Sequence, residues 1–155
     1  MIKKIVIHTI FILVVSCGFQ PMLKDFDISN LKIKKISYVS ENNELNYILQ
    51  NNLNLNAKPN SNGLIINLSI FENISSITKN TAGISTEEEL KILIKLNVKD
   101  HKLNNLLNET LSEVNRLQIT NNLGTDDTTK NNVRKKTINN LGQKIKFKLM
   151  ILANN

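Results

Sequence analysis

Few residues in this chain could do chemistry. The one thiol belongs to Cys17, which stands directly after Ser16 at the end of an apolar run over residues 5–15. A lone cysteine can form no internal disulfide, CxxC redox pair or thiolate metal cluster. His8 lies inside the apolar run, so a Ser-His-Asp or metal-ligand set would have to be built around His101 in a turn-rich stretch; an exposed hairpin histidine is the plainer reading. Glu87, Glu88 and Glu89 could pose as paired carboxylates or a cation site, but no second acidic cluster of similar density accompanies them. They read as the solvated start of a strand. No two glycines stand as G-x-G, so there is no phosphate-cradling loop of that kind. The expectation is a protein with no catalytic residues, no metal and no cofactor. What remains are cations: Lys91, Lys95 and Lys99 recur at even spacing on one strand, and Arg116 falls on the next. Together they could bind phosphates through charge-assisted hydrogen bonds. The plainer reading is a solvated face that keeps the protein soluble, because the basic excess is spread over the whole chain.

The setting of Cys17 gives it a role. Met1-Ile2-Lys3-Lys4 is a short positive start, and with the apolar run it makes the n-region and h-region of a secretory signal. The run is well short of the roughly 20 apolar residues that span a bilayer, and no second such run follows. In place of an A-x-A cleavage site comes Ser16-Cys17, which resembles the lipobox of bacterial lipoproteins. The resemblance implies that Cys17 takes a diacylglycerol through a thioether, that the chain is cut before Cys17, and that the new amino group is acylated, palmitate being the chain type implied. Each buried CH₂ contributes roughly 0.8 kcal/mol, so several chains on one cysteine hold a protein lastingly at the membrane. Gly18 occupies the position where, in the lipoproteins this resembles, aspartate favours inner-membrane retention; outer-membrane localisation on the periplasmic side is therefore implied. The expected organisation is a signal peptide over residues 1–16, a lipidated tether over 17–30 and a single domain over 31–155, a length that suits one core.

Charge narrows the partners. The formal net charge is +7, and loss of Lys3 and Lys4 with the signal leaves the chain basic. In an envelope, that favours phosphorylated glycolipid or a membrane surface over nucleic acid. Aromatics make up only 5% and Trp is absent, so stacking platforms for bases are poorly supplied. The abundant asparagine reads as nucleotide-composition bias.

Period and punctuation supply the elements. Residues 31–39 read as a strand whose phase changes midway, with Leu31 and Ile33 on one face, Ile36 and Tyr38 on the other, and a bulge near Lys34 and Lys35. Ser40 can cap a helix carrying Leu45, Ile48, Leu49 and Leu53 that ends around residues 54–56. After the turn sequence at 58–63, Leu64, Ile66, Leu68 and Ile70 alternate in a second strand that runs as far as Thr78. The clearest strand covers residues 88–99, with Leu90, Ile92, Ile94, Leu96 and Val98 on one face and three lysines on the other, so that a one-residue slip would bury the lysines. A hairpin connection over 100–108 leads to a return strand over 109–119, where Leu111, Val114, Leu117 and Ile119 keep a less clean phase. Asp126 and Asp127 mark the start of a long basic amphipathic helix carrying Val133, Ile138, Leu141, Ile145, Leu149 and Leu152. Its apolar stripe can pack on the sheet, or the helix can approach a membrane. The order strand, helix, three strands, helix gives an α+β fold: a mostly antiparallel four-stranded sheet with two helices packed on one face.

Cys17-Gly18-Phe19-Gln20-Pro21-Met22 resembles the Cys-Gly-Phe-x-Pro-Leu-Tyr opening of the LPS-assembly lipoprotein LptE family. The stretch from Glu88 to Asp100, the hairpin, and Arg116-Leu117-Gln118-Ile119-Thr120-Asn121 ahead of the last helix are similar to that family's middle and end. Met22-Leu23 stands where Leu-Tyr is usual, and Ile119-Thr120 where a Tyr precedes the Asn. The resemblance implies a non-enzymatic outer-membrane lipoprotein that plugs the LptD barrel, helps it fold and touches lipopolysaccharide during its transport to the cell surface. Lys91, Lys95, Lys99 and Arg116 are the candidate lipopolysaccharide contacts. The alternative is a free-standing envelope lipoprotein that binds peptidoglycan or another envelope ligand.

Overall fold

The computed structural model describes residues 31–153. The expected signal peptide, Cys17 and the expected tether lie outside the described residues. Six elements follow in order: β1 (Ile33–Ser40), α1 (Asn43–Leu53), β2 (Leu64–Lys79), β3 (Ser85–Lys99), β4 (Asn105–Gln118) and α2 (Leu123–Ala153). The sheet order is β1-β2-β3-β4. β1 runs parallel to β2, as the helical crossover through α1 requires, and the other two pairs are antiparallel. The α+β architecture expected from the sequence is the one observed.

Strict alternation makes β3 the centre of the core. Leu90, Ile92, Ile94, Leu96 and Val98 are all fully buried beneath the helices. On one side they stand opposite Ile74, Glu72, Ile70, Leu68 and Ile66 of β2. In β1 the register slips between Ile33 and Lys35. That bulge absorbs the phase change, so Ile36 and Tyr38 join Ile33 against the core instead of facing away from it.

Asn42 caps α1, its side chain accepting from the Glu44 N–H at 3.0 Å, while Ser40 accepts from the Asn42 N–H. The expected Ser40 cap is thus displaced by two residues. Leu45, Leu49 and Leu53 point one way and are buried; Asn54, at φ 47°, ends the helix in the left-handed conformation that asparagine tolerates. In α2, Ile138, Leu141, Ile145 and Leu149 form the buried stripe. The last helix therefore packs on the sheet. No helix among the described residues is long and apolar enough to cross a membrane.

Several strand boundaries differ from the sequence expectation. β1 spans Ile33–Ser40, β2 runs to Lys79, β3 starts at Ser85, and β4 ends at Gln118 and starts at Asn105 because the hairpin closes within five residues. The Asp100 carboxylate accepts from the Lys102 and Asn104 N–H groups at 2.8 and 2.9 Å, making a side-chain turn that needs no longer loop.

Candidate functional site

With the helices on one face of the sheet, the opposite face is left to solvent. The register places its side chains in rows across β2, β3 and β4: Asn67, Asn97 and Asn108; Ser69, Lys95 and Thr110; Phe71, Leu93 and Ser112; Asn73, Lys91 and Val114; Ser75, Glu89 and Arg116. Lys91, Lys95, Lys99 and Arg116 therefore all lie on this outer face. Lys91, Lys95 and Arg116 are exposed and Lys99 is partly so.

The four cations are brought to one face without converging on one point. Four residues of strand separate successive lysines by about 13 Å. The Lys95 ammonium sits 5.2 Å from the Phe71 ring centroid, where the ring's negative face attracts it. Phe71 is 48% exposed, so this pair offers an apolar surface beside a charge. Arg116 stands opposite Glu89. Such a face can hold several anionic groups along a line through charge-assisted hydrogen bonds.

The acidic triplet does not act together. Glu88 turns inward and meets Lys130 of α2 at 2.8 Å, with 17% of its side chain exposed, while Glu87 and Glu89 point to the outer face. The solvated reading of all three is thus corrected for Glu88, since alternation sends the middle residue of the triplet under the helix. His101 is exposed in the β3–β4 turn, and neighbouring Asp100 is committed to closing that turn. Hydrogen bonds, led by the Asn104 side chain, hold the Asp100 carboxyl below its ordinary range.

Sequence reasoning missed the polar seam between α2 and the sheet. Lys130, Arg134, Lys144 and Lys148 pair with Glu88, Glu72, Glu113 and Glu109 respectively. Asn115 donates to the Thr137 hydroxyl at 2.8 Å in the same layer. The available signal was period 2: Glu109, Glu113 and Asn115 share the inward parity of Leu107, Leu111 and Leu117, whereas Val114 faces out and is 47% exposed. An open groove of about 600 Å³ runs between β4 and α2, lined by Leu111, Glu113, Lys144, Phe147 and Lys148 among others.

No family model matches the chain, and no curated protein does. Among solved structures, the chain is similar to rare lipoprotein B from Shewanella oneidensis, at 12% identity and a TM-score of 0.56 over 77% of this chain and 96% of that one. A minor lipoprotein from Acinetobacter baumannii is similar at 14% identity and TM-score 0.56, over 77% and 94% of the two chains. Lipoprotein B from Nitrosomonas europaea is similar at 12% identity and TM-score 0.60, over 80% and 86%. The fold is one found in bacterial lipoproteins.

Proposed function

We propose that this protein is an outer-membrane lipoprotein, anchored through Cys17 on the periplasmic side, that partners an LptD-type barrel as plug and assembly factor in lipopolysaccharide transport. The observation that carries the reading is a conjunction: the Cys17-Gly18-Phe19-Gln20-Pro21-Met22 opening precedes a fold shared with solved lipoproteins. The outer sheet face supports it further, because a polar surface with spaced cations suits both a polar barrel lumen and a phosphorylated glycolipid. The role asks only for binding, so it is a non-enzymatic one. Lys91, Lys95, Lys99 and Arg116 are its lipopolysaccharide contacts.

Titration with lipopolysaccharide tests the ligand. Changing Lys91, Lys95 and Arg116 together to Ala should weaken binding and leave the fold intact, since exposed cations contribute little to stability. Affinity should fall with added salt, which screens such contacts over about 8 Å at physiological ionic strength. Equal affinity of the wild-type and triple-variant proteins would reject this face as the contact.

A further inference from the structure

The two hairpin turns of the sheet are built to one plan. In the β2–β3 turn the Asn80 side chain accepts from the Ala82 and Ile84 N–H groups at 3.0 and 2.9 Å, and the Asn80 carbonyl accepts from the Gly83 N–H. In the β3–β4 turn the Asp100 side chain does the same for Lys102 and Asn104, and its carbonyl accepts from the Leu103 N–H. The fourth position of each turn takes a left-handed backbone, at φ 79° for Gly83 and φ 70° for Leu103. Glycine adopts that conformation freely, whereas leucine is strained in it. All that leucine adds to this turn is its side chain, which is 64% exposed at the apex. Strain kept at an exposed position points to function.

That apex lies at the end of the domain where the chain enters it. Leu31, Lys32, Leu64, His101 and Leu152 border one hollow of about 350 Å³, which brings together the start of the domain, the β3–β4 turn and the last turn of α2. The expected tether from Cys17 therefore joins the domain at this end. The charge here is one-sided. Lys32, Lys58 and Lys102 are exposed and Lys99 is partly so, while residues 54–63 and 100–104 contain one acid, Asp100, whose carboxylate the turn consumes. The next carboxylate along β4, Glu109, is paired with Lys148. Leu106, three residues beyond Leu103, adds a second apolar side chain and is 45% exposed. The β2–β3 turn at the opposite end of the sheet has Thr81, Ala82 and Gly83 in place of His101, Lys102 and Leu103, and Glu87, Glu88 and Glu89 follow it.

We infer that this end of the domain rests on the membrane leaflet that holds the anchor, with Leu103 at the boundary of headgroups and acyl chains and the lysines on anionic phospholipid. Binding of that kind grows with the apolar area buried and with the attraction of basic residues to anionic lipid. Only this end combines an apolar apex with unpaired cations; at the other, the exposed Ile84 is followed by carboxylates. The inference rests on the anchor at Cys17. With its end on the leaflet, the sheet stands off the membrane and leaves its outer face open to a barrel wall or a glycolipid, so one copy can make both contacts.

The chain has no tryptophan, so one introduced indole reports its own surroundings. Overproduced full-length Leu103→Trp and Ile84→Trp proteins are reconstituted into vesicles of phosphatidylcholine, alone or with phosphatidylglycerol, and flotation shows whether each protein is carried. With phosphatidylglycerol, Leu103→Trp should shift its emission to the blue and lose it to lipids brominated on their acyl chains, and added salt should reverse both. Ile84→Trp should do neither. A second pair separates contact from folding: Leu106→Trp should be quenched by itself and released when combined with Leu103→Gly, a change that should raise the thermal midpoint because glycine relieves the turn. Protein that floats with Leu103→Trp unquenched, equal quenching of Ile84→Trp, quenching indifferent to phosphatidylglycerol, or Leu106→Trp still quenched beside Leu103→Gly would overturn the inference and leave the anchor standing. Failure to float with either kind of vesicle would overturn both.

Discussion

Arg134 of α2 donates to the carboxylate of Glu72 on β2, with 20% and 15% of the two side chains exposed, and its guanidinium also donates to Asn131 at 2.8 Å. The pair pins the middle of the last helix to the sheet. Exposed ion pairs are worth about 0–1 kcal/mol, whereas breaking a buried pair costs about 3–5, so Glu72→Ala should destabilise by about 2 kcal/mol. Replacing both residues by Leu should recover most of that loss, because no stranded charge remains. Urea midpoints of the single and double variants check it; an unchanged midpoint for Glu72→Ala would show that the pair holds nothing.

Gly63 and Gly142 predict opposite outcomes for the same substitution. A Cβ at Gly63 would collide with the main-chain carbonyl of Lys32, which cannot move without displacing the start of β1. Gly63→Ala should cost about 1–3 kcal/mol, as overpacking does. At Gly142 the obstacle is the Asn52 side chain, which can swing away at the loss of its 3.1 Å bond to Asn139. That loss, about 1 kcal/mol, is offset by the helix preference of Ala over Gly, also about 1 kcal/mol. Thermal melts should therefore separate the two variants, with Gly142→Ala near wild type.

Asp126, 7% exposed, joins the end of β4 to the start of α2 by accepting from the Thr120 N–H and hydroxyl at 2.9 and 2.8 Å. Those bonds, the main-chain one first, hold its carboxyl below the ordinary range. A group whose pKa is depressed by folding contributes stability that is present above its unfolded pKa and lost as pH falls through the folded one. Acid should therefore destabilise the wild type below the usual carboxylate range, and Asp126→Asn should be less stable at neutral pH with a shallower acid dependence. Parallel acid slopes for the two proteins in thermal melts would contradict this.

Much of the fold was legible because β3 leaves no freedom: five consecutive inward apolar residues fix its faces, and the same period 2 places Lys91, Lys95 and Lys99 together on the outer one. The bulge in β1 was legible as a broken phase. β4 was harder, since its inward positions carry Glu109, Glu113 and Asn115 where a core strand would be apolar, and their partners sit on α2. The cation–carboxylate seam depends on how a helix lies across a sheet. Local pattern carries no such information. Glu88 was misread for the same reason, its partner Lys130 lying 42 residues on in sequence.

The anchor makes its own prediction. Ser16-Cys17 after the apolar run should direct lipid onto Cys17, so Cys17→Ser should yield uncut precursor without attached acyl chains. Metabolic labelling with a fatty acid is the check, and label retained on the Cys17→Ser protein would contradict the anchor.

The partnership with a barrel is the central claim, and purification of the full-length protein from envelopes in mild detergent tests it most directly. The account predicts a large outer-membrane β-barrel protein recovered in stoichiometric amount, whether or not the outer-face cations are present. Recovery without any barrel, under conditions where the protein itself stays folded and lipidated, would contradict it and leave a free-standing envelope lipoprotein in its place.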